Sequence, residues 1–182
     1  MTQTKDQIII YPLEGYAPPV GYALACLKAE RQLTRATVAG LSMKDLDAQV
    51  KDSPNSIGTL LYHIADIELD WLYVEILEQE IPKDLSALFP IYTRDNAGRL
   101  SVVAGFELTE HLERLAVVRK AVLEKLKDMD TEDFYRVRNL SDYDVNPAWV
   151  LYHLLEHEAK HGEQIARIRR SIQTKSSLTS SS

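Results

Sequence analysis

Residues 149–170 read WVLYHLLEHEAKHGEQIARIRR, and this stretch decides the fold class. Its apolar residues recur at spacings of three and four, the pattern of one buried face of an α-helix. Asn146 is a suitable N-cap, and Pro147 suits the first helical position, where its missing N–H costs nothing. We therefore predict a long last helix that continues to about Ile172.

Three more long helices are predicted upstream of this one. Two prolines suit the first turn of helix 1, which covers residues 20–38. Helix 2 covers residues 56–79, with apolar residues again at spacings of three and four. Helix 3 covers residues 109–128, with Thr109 as its N-cap. The sequence thus predicts an all-α protein built as a four-helix bundle.

A long connection joins helices 2 and 3 and contains IPKDLSALFPIYTRDNAGRLSVVAGF. A connection of this length can cross the bundle, so that helices 2 and 3 run in the same direction. RLSVV is strand-like and follows NAG, a turn signal, which predicts a short hairpin inside the crossover. We expect residues 1–173 to form one domain and the Ser-rich residues 174–182 to be a disordered tail.

The composition excludes several function classes. The formal net charge of −6 argues against a nucleic-acid-binding surface, which needs clustered Lys and Arg. No apolar run approaches the roughly 18 residues that cross a bilayer, so no membrane association is expected. The opening MTQTKDQIII does not resemble a signal peptide, and the single cysteine, Cys26, is typical of a reducing compartment. These features predict a cytoplasmic protein, and its partner is expected to be a small-molecule substrate rather than a nucleic acid or a membrane.

The last helix carries His153, His157 and His161, four residues apart each time. On a helical wheel His157 and His161 lie near the centre of the apolar stripe, and His153 lies to one side of it. Imidazoles at i and i+4 lie one above the other and can share one metal ion. Burying several imidazoles with neither metal nor charged partners is costly, so the pattern favours a metal site over a set of core histidines.

Two other metal motifs overlap this stretch. Residues 157–161 match the H-E-x-x-H pattern of zinc peptidases, but no downstream histidine or suitably spaced glutamate completes it. Glu158 to His161 is a Glu-x-x-His of the kind found in di-iron bundles, but no second copy exists. The third ligand is therefore expected upstream, and His63 of helix 2 is the better candidate. His111 lies among glutamates and is expected to be a surface histidine.

Carboxylates near these histidines are candidates for the chemistry. Asp66 and Asp70 lie on His63's side of helix 2, where they could orient a ligand, complete the coordination or be solvated surface acids. Asp66 could also shuttle a proton. Glu158 could act as a general base beside the metal, or it could form a salt bridge to a basic neighbour. The residues alone leave these alternatives open.

Three stretches together resemble the DinB-like superfamily, also described as YfiT-like putative metal-dependent hydrolases. The stretches are Leu41-Ser42 with Leu46, Asn55-Ser56-Ile57-Gly58 followed by His63, and a final group running from Trp149 to Ile165. The resemblance implies an up-down-down-up bundle and a metal triad of His63, His157 and His161. It implies zinc or nickel as the ion and a homodimer as the assembly. His153 is an addition to the triad, expected behind the ligands or in the core.

Three functions follow from these expectations. Some relatives in the family are thiol-dependent transferases, so the first is a metal-dependent enzyme that transfers a low-molecular-weight thiol to an electrophile. The second is a hydrolase that uses metal-bound hydroxide, with Glu158 or Asp66 as the proton shuttle. The third is a non-catalytic stress or interaction protein in which the metal staples the bundle.

Overall fold

The computed structural model describes residues 9–51 and 53–179, the last five of these by their backbone alone. Residues 1–8, 52 and 180–182 lie outside the described part; they include most of the opening segment and the end of the predicted tail. The long helices are α1 (Pro18–Val38), α3 (Ile57–Trp71), α5 (Leu108–Lys125) and α7 (Pro147–Thr179). The connections contain α2 (Met43–Asp47), α4 (Lys83–Ser86), α6 (Thr131–Tyr135), β1 (Arg138–Asn139) and β2 (Asp144–Val145). The prediction of a mostly helical protein is confirmed.

The long helices surround a common apolar core. α1 packs chiefly against α7, and α3 lies against both α5 and α7. Each long helix contributes fully buried aliphatic side chains, such as Leu27, Leu60, Val118 and Ile165. Burial of such side chains is the main driving force for this packing. It brings α3 and α7, the two helices that carry the predicted metal ligands, side by side, whereas the up-down-down-up order stays a prediction.

Two helix ends differ from the sequence prediction. Thr109 is not the N-cap of α5: Glu107 is, and its backbone N–H donates to Oε2 of Glu110 over 2.7 Å. The prediction was wrong because a reciprocal glutamate pair forms the capping box two residues earlier. α7 continues to Thr179 rather than ending near Ile172, so part of the expected disordered tail is helical backbone.

A short antiparallel turn lies where the sequence predicts one: Arg94 bridges Leu100, the Asp95 N–H donates to Arg99 O over 2.8 Å, and the Ser101 N–H donates to Thr93 O over 3.0 Å. A second antiparallel pair, β1 and β2, forms just before α7, where no strands were predicted. Arg138 anchors this pair: its side chain is buried, it donates to Ile76 O over 3.2 Å, and it pairs with Asp133 at 3.0 Å. A buried arginine thus holds strands that are too short to be stable alone.

Helix α3 does not end as a regular helix. After Trp71 the chain widens into a π-helical turn, Leu72–Ile76. Such turns are rare, and they occur often at functional sites. None of the helices in the described part of the chain is long and apolar enough to cross a membrane.

Candidate metal centre

His63, His157 and His161 meet between α3 and α7. One nitrogen of each ring lies within 4.8 Å of the other two, and the described residues contain no other such group of histidine, cysteine or acidic side chains. His63 is buried, and the other two are half-buried. The i, i+4 spacing brings His157 and His161 together on α7, and helix packing adds His63. The three predicted ligands are therefore neighbours.

The distance between His63 and His157 suits two ligands of one ion. The Nε2 atoms of His63 and His157 are 3.1 Å apart. Zinc–nitrogen bonds of about 2.0–2.1 Å at tetrahedral angles would separate two ligand atoms by about 3.3 Å, close to this distance. Nδ1 of His63 is buried without a hydrogen-bond partner among the described residues. A neutral ring that binds an ion through Nε2 carries its proton on Nδ1.

The protonation states also suit metal binding. Burial, with smaller effects from His161 and Arg94, lowers the pKa of His63 to about 4. Burial and the neighbouring imidazoles lower the pKa of His157 to about 3. The pKa of His161 is lowered too, chiefly by burial. All three rings are thus neutral at physiological pH, the form in which histidine binds a metal.

Gln164 orients one of the ligands, a role that the sequence analysis did not assign. Its Oε1 lies 3.1 Å from Nδ1 of His161. When Nδ1–H donates to this oxygen, Nε2 of His161 keeps its lone pair for an ion. Such partners fix the tautomer and the orientation of a ligating histidine. The i, i+3 spacing of His161 and Gln164 was the available sequence signal.

His153 lies outside the triad but beside it. Its ring stacks on Trp149, with centroids 5.0 Å apart, and contacts Trp71 at 4.5 Å. Its centroid is 5.8 Å from that of His157. The structure therefore assigns His153 to an aromatic stack that adjoins the centre.

Asp66 and Asp70 line a cavity of about 560 Å³ between α3 and the crossover. Phe89, Tyr92 and Arg94 of the crossover line it as well. Burial and then the charge of Asp70 raise the pKa of Asp66 to about 6, and burial raises the pKa of Asp70. Since the charge of Arg94 also lowers the pKa of all three triad histidines, the cavity and the triad share one electrostatic environment.

Comparison with known proteins agrees with this architecture. The family model of the DinB superfamily matches residues 27–165. The chain belongs to the DinB superfamily. A solved structure of a conserved protein from Enterococcus faecalis is similar, with a TM-score of 0.64 and 17% identity over 83% of this chain and 95% of that one. At that identity the likeness supports the fold alone. No curated protein matches the chain.

Glu158 of this DinB-superfamily protein has two basic partners. Its carboxylate accepts from Arg31 Nε at 2.6 Å and lies 3.4 Å from Arg119 Nη2. Glu68 completes the group, 2.5 Å from both Arg31 and Arg119. Each long helix thus contributes one member to a buried ion cluster, defined as Arg31, Glu68, Arg119 and Glu158. The salt-bridge alternative for Glu158 is the one that the structure contains.

The ion cluster keeps its charges. Burial alone would raise the pKa of Glu68, but Arg119 and Arg31 outweigh it and lower that pKa. The two carboxylates likewise raise the pKa of Arg31 against the effect of burial. Two cations and two anions leave no net charge in the interior, a condition for burying charged groups at tolerable cost.

The position of His111 in this DinB-superfamily chain differs from the sequence prediction. It was expected at the surface because glutamates surround it in the sequence, but its side chain is 1% exposed. The ring packs edge-on against Phe106, and Nδ1 lies 3.4 Å from Arg114 Nη1. Gly58 of α3 makes room for it: a Cβ there would lie 3.2 Å from His111 Nε2. His111 is a packing residue between α3 and α5.

Proposed function

We propose that this protein is a metal-dependent enzyme that transfers a low-molecular-weight thiol to an electrophilic small molecule. The observation that carries the proposal is the convergence of three neutral imidazoles within 4.8 Å. Asp66, on the same helix as His63, lines the acid-lined cavity. Three neutral ligands would hold a divalent zinc or nickel ion, keep its full charge and leave a position open. When bound, such an ion lowers the pKa of a thiol or water that it contacts.

We assign the cavity beside the triad to the two substrates. Its apolar wall includes Phe89 and Tyr92, which suit the carbon skeleton of an electrophile. Arg94 is an exposed cation at the cavity. Several small biological thiols, glutathione among them, carry carboxylates, which an arginine binds through paired hydrogen bonds. The thiol cosubstrate would thus be oriented by its carboxylate, with its sulfur toward the histidines.

We assign Asp66 the role of proton acceptor. Its pKa of about 6 leaves it mostly deprotonated at neutral pH, yet close enough to the working pH to exchange protons efficiently. In the reaction the S–H proton passes to the Asp66 carboxylate, the sulfur forms a bond to the electrophilic carbon, and the leaving group departs with its electron pair. Asp70, whose charge raises this pKa, has a tuning role.

A hydrolase is the second candidate, and the same carboxylate favours it. With water in place of the thiol, Asp66 would accept a proton from the attacking water. The proposed homodimer, expected from the family resemblance, is compatible with either reaction and is testable by sedimentation velocity.

The test is turnover of 1-chloro-2,4-dinitrobenzene with a panel of small thiols, by metal-free protein and by protein loaded with zinc or nickel. We expect metal-dependent conjugation and a loss of about 100-fold in kcat for Asp66→Asn, because general-base catalysis contributes at least that factor. Asp84→Asn, an exposed acid of α4, is the control and should keep the wild-type rate. Ester cleavage without conjugation would select the hydrolase, and no metal-dependent turnover of either kind would reject both reactions.

A further inference from the structure

A second cavity, of about 580 Å³, lies where the β1–β2 hairpin meets the start of α7. Its walls come from the end of α3 and from the hairpin as well as from α7. We call it the aromatic cavity; its lining side chains include Trp71, Val137, Tyr143, Asp144 and Trp149. It is separate from the acid-lined cavity, with which it shares no lining residue.

The aromatic rings of this cavity are held in place yet accessible. Trp149 stacks on His153, and 47% of its surface remains exposed. Trp71 lies 5.4 Å from Trp149 and 6.4 Å from Tyr143, between centroids. The buried Arg138 fixes the hairpin that carries Tyr143. A rigid wall of this kind spares a ligand the cost of ordering the side chains.

The lining of the aromatic cavity carries negative charge, and the nearby Arg138 is paired with Asp133. Asp144 is the one charged side chain among the described residues that line it. Behind the wall, the Tyr143 hydroxyl donates to Glu75 Oε1 over 2.9 Å. Glu75 is 5% exposed, and its Oε2 has no partner within the described part of the chain. Burial, followed by Glu75, Asp70 and Asp142, raises the pKa of Tyr143 to about 12.

We propose that the aromatic cavity binds a small organic cation, with an alkylated ammonium group against Trp149 and Tyr143 and its charge near Asp144. Aromatic faces attract cations through their quadrupole, and alkylated ammonium ions lose less hydration than bare ones when they enter such a site. A neutral apolar ligand would fill the same volume but would leave the lining charge of Asp144 uncompensated.

The position of the cavity gives this cation site a role in the proposed function. Trp71 and Trp149 both contact His153, whose ring adjoins the triad ligand His157. A substrate whose cationic end occupied the aromatic cavity would therefore reach toward the metal centre. This further role rests on the proposed enzymatic function, whereas binding of the cation does not.

The two tryptophans of the chain both line the aromatic cavity, so intrinsic fluorescence reports on it directly. The probe is choline, compared with 3,3-dimethylbutan-1-ol, which has the same shape without the charge, and with sodium chloride at equal ionic strength. We expect a saturable change with choline below about 100 mM, and binding of the alcohol about fivefold weaker or more, the fold-change that corresponds to a cation–π contribution of about 1 kcal/mol or more. Both metal-free and metal-loaded protein should respond.

Two variants test separately how the charge and the aromatic wall of the cavity contribute to choline binding. Asp144→Asn should weaken choline binding about threefold or more, because it removes the lining charge while its carbonyl keeps the hydrogen bond from Asn139. Trp149→Leu, followed through Trp71, should weaken it about tenfold. Asp128→Asn, an exposed acid away from the cavity, is the control for net charge and should bind as the wild type does.

Three results would overturn the proposal. They are the absence of a saturable response to choline, equal binding of the alcohol, and a spectrum that changes with protein concentration alone. The last would mean that a second copy of the chain covers the aromatic face. The fluorescence response to choline does not depend on the metal content of the protein. Failure of choline to bind would therefore leave the proposed metal-dependent activity to be tested by the turnover assay.

Discussion

Two buried histidines of this protein have different surroundings. Nε2 of His63 faces two other imidazoles, whereas His111 packs against Phe106 and faces the guanidinium of Arg114. Burial, followed by the charge of Arg114, lowers the pKa of His111 to about 4. In the unfolded chain the same ring has a pKa of about 6.5. His111 therefore makes folding dependent on pH.

The sign of this dependence follows from proton uptake. Between pH 6.5 and 4 the unfolded chain binds a proton at His111 that the folded chain does not, so the free energy of unfolding falls as the pH falls. At pH 5 the two pKa values correspond to a loss of about 2 kcal/mol relative to pH 8. His111→Gln should reduce the difference between urea unfolding at pH 8 and at pH 5 by about that amount. The measurement uses metal-free protein, where the triad histidines titrate in both proteins and cancel.

At pH 8 the comparison also provides its own control, because His111 is neutral in both the folded and the unfolded state. An equal pH dependence in wild type and variant would show that His111 takes up a proton without cost in the folded protein. The packing around Phe106 and Gly58 would then have to open at low pH.

At the scale of elements, α7 carries two different sites on neighbouring faces. His157 faces α3 and the triad, and the adjacent Glu158 joins the ion cluster with Arg31 and Arg119. The cluster connects all four long helices, and breaking a buried ion pair by removing one partner typically costs about 3–5 kcal/mol. Glu158 is therefore expected to matter for stability rather than for chemistry.

Glu158→Gln should lower the free energy of unfolding by about 3 kcal/mol or more, because Arg31 and Arg119 lose a buried counter-charge. Metal content should stay at the wild-type level. Glu163→Gln, which removes an exposed partner of Arg170 on the same helix, should change stability by less than about 1 kcal/mol. Urea unfolding of the wild type and of the two variants measures both changes in stability. An unchanged stability with a large loss of rate would instead restore the general-base role.

The spacing of residues along the chain predicted the features that a single helix determines. The periodicity of α7 identified its buried face, and the i, i+4 histidines followed from it. His63 was found because only two candidates existed upstream. The ion cluster was beyond such reasoning, since its four members are separated by up to 127 residues. The β1–β2 hairpin was missed because a buried arginine outside the strand pattern holds it.

Contacts between elements that are distant in sequence also explain the predictions that were wrong. His111 looked exposed because Glu110 and Glu113 flank it, yet the adjacent α3 presents Gly58 and accepts the ring. The π-helical turn after Trp71 has no counterpart in the apolar pattern, which continues without interruption. Tertiary packing decided each of these features.

At the scale of the whole molecule, the packing of α3 against α7 creates the candidate centre. The triad lies between α3 and α7, the acid-lined cavity lies between α3 and the crossover, and the aromatic cavity adjoins the triad through His153. Two cavities of different character thus flank one candidate metal position. This arrangement suits an enzyme that brings two unlike substrates, or two ends of one substrate, to a single ion.

The central claim is that His63, His157 and His161 hold a metal ion, and elemental analysis tests it most directly. The protein is purified without a metal-affinity tag, and wild type is compared with the His63→Ala/His157→Ala double variant and with His153→Ala. We expect about one zinc or nickel per chain in the wild type and in His153→Ala, and none in the double variant, because one remaining imidazole cannot hold the ion. A wild type that contains no metal and takes up none on titration with zinc or nickel would contradict the account.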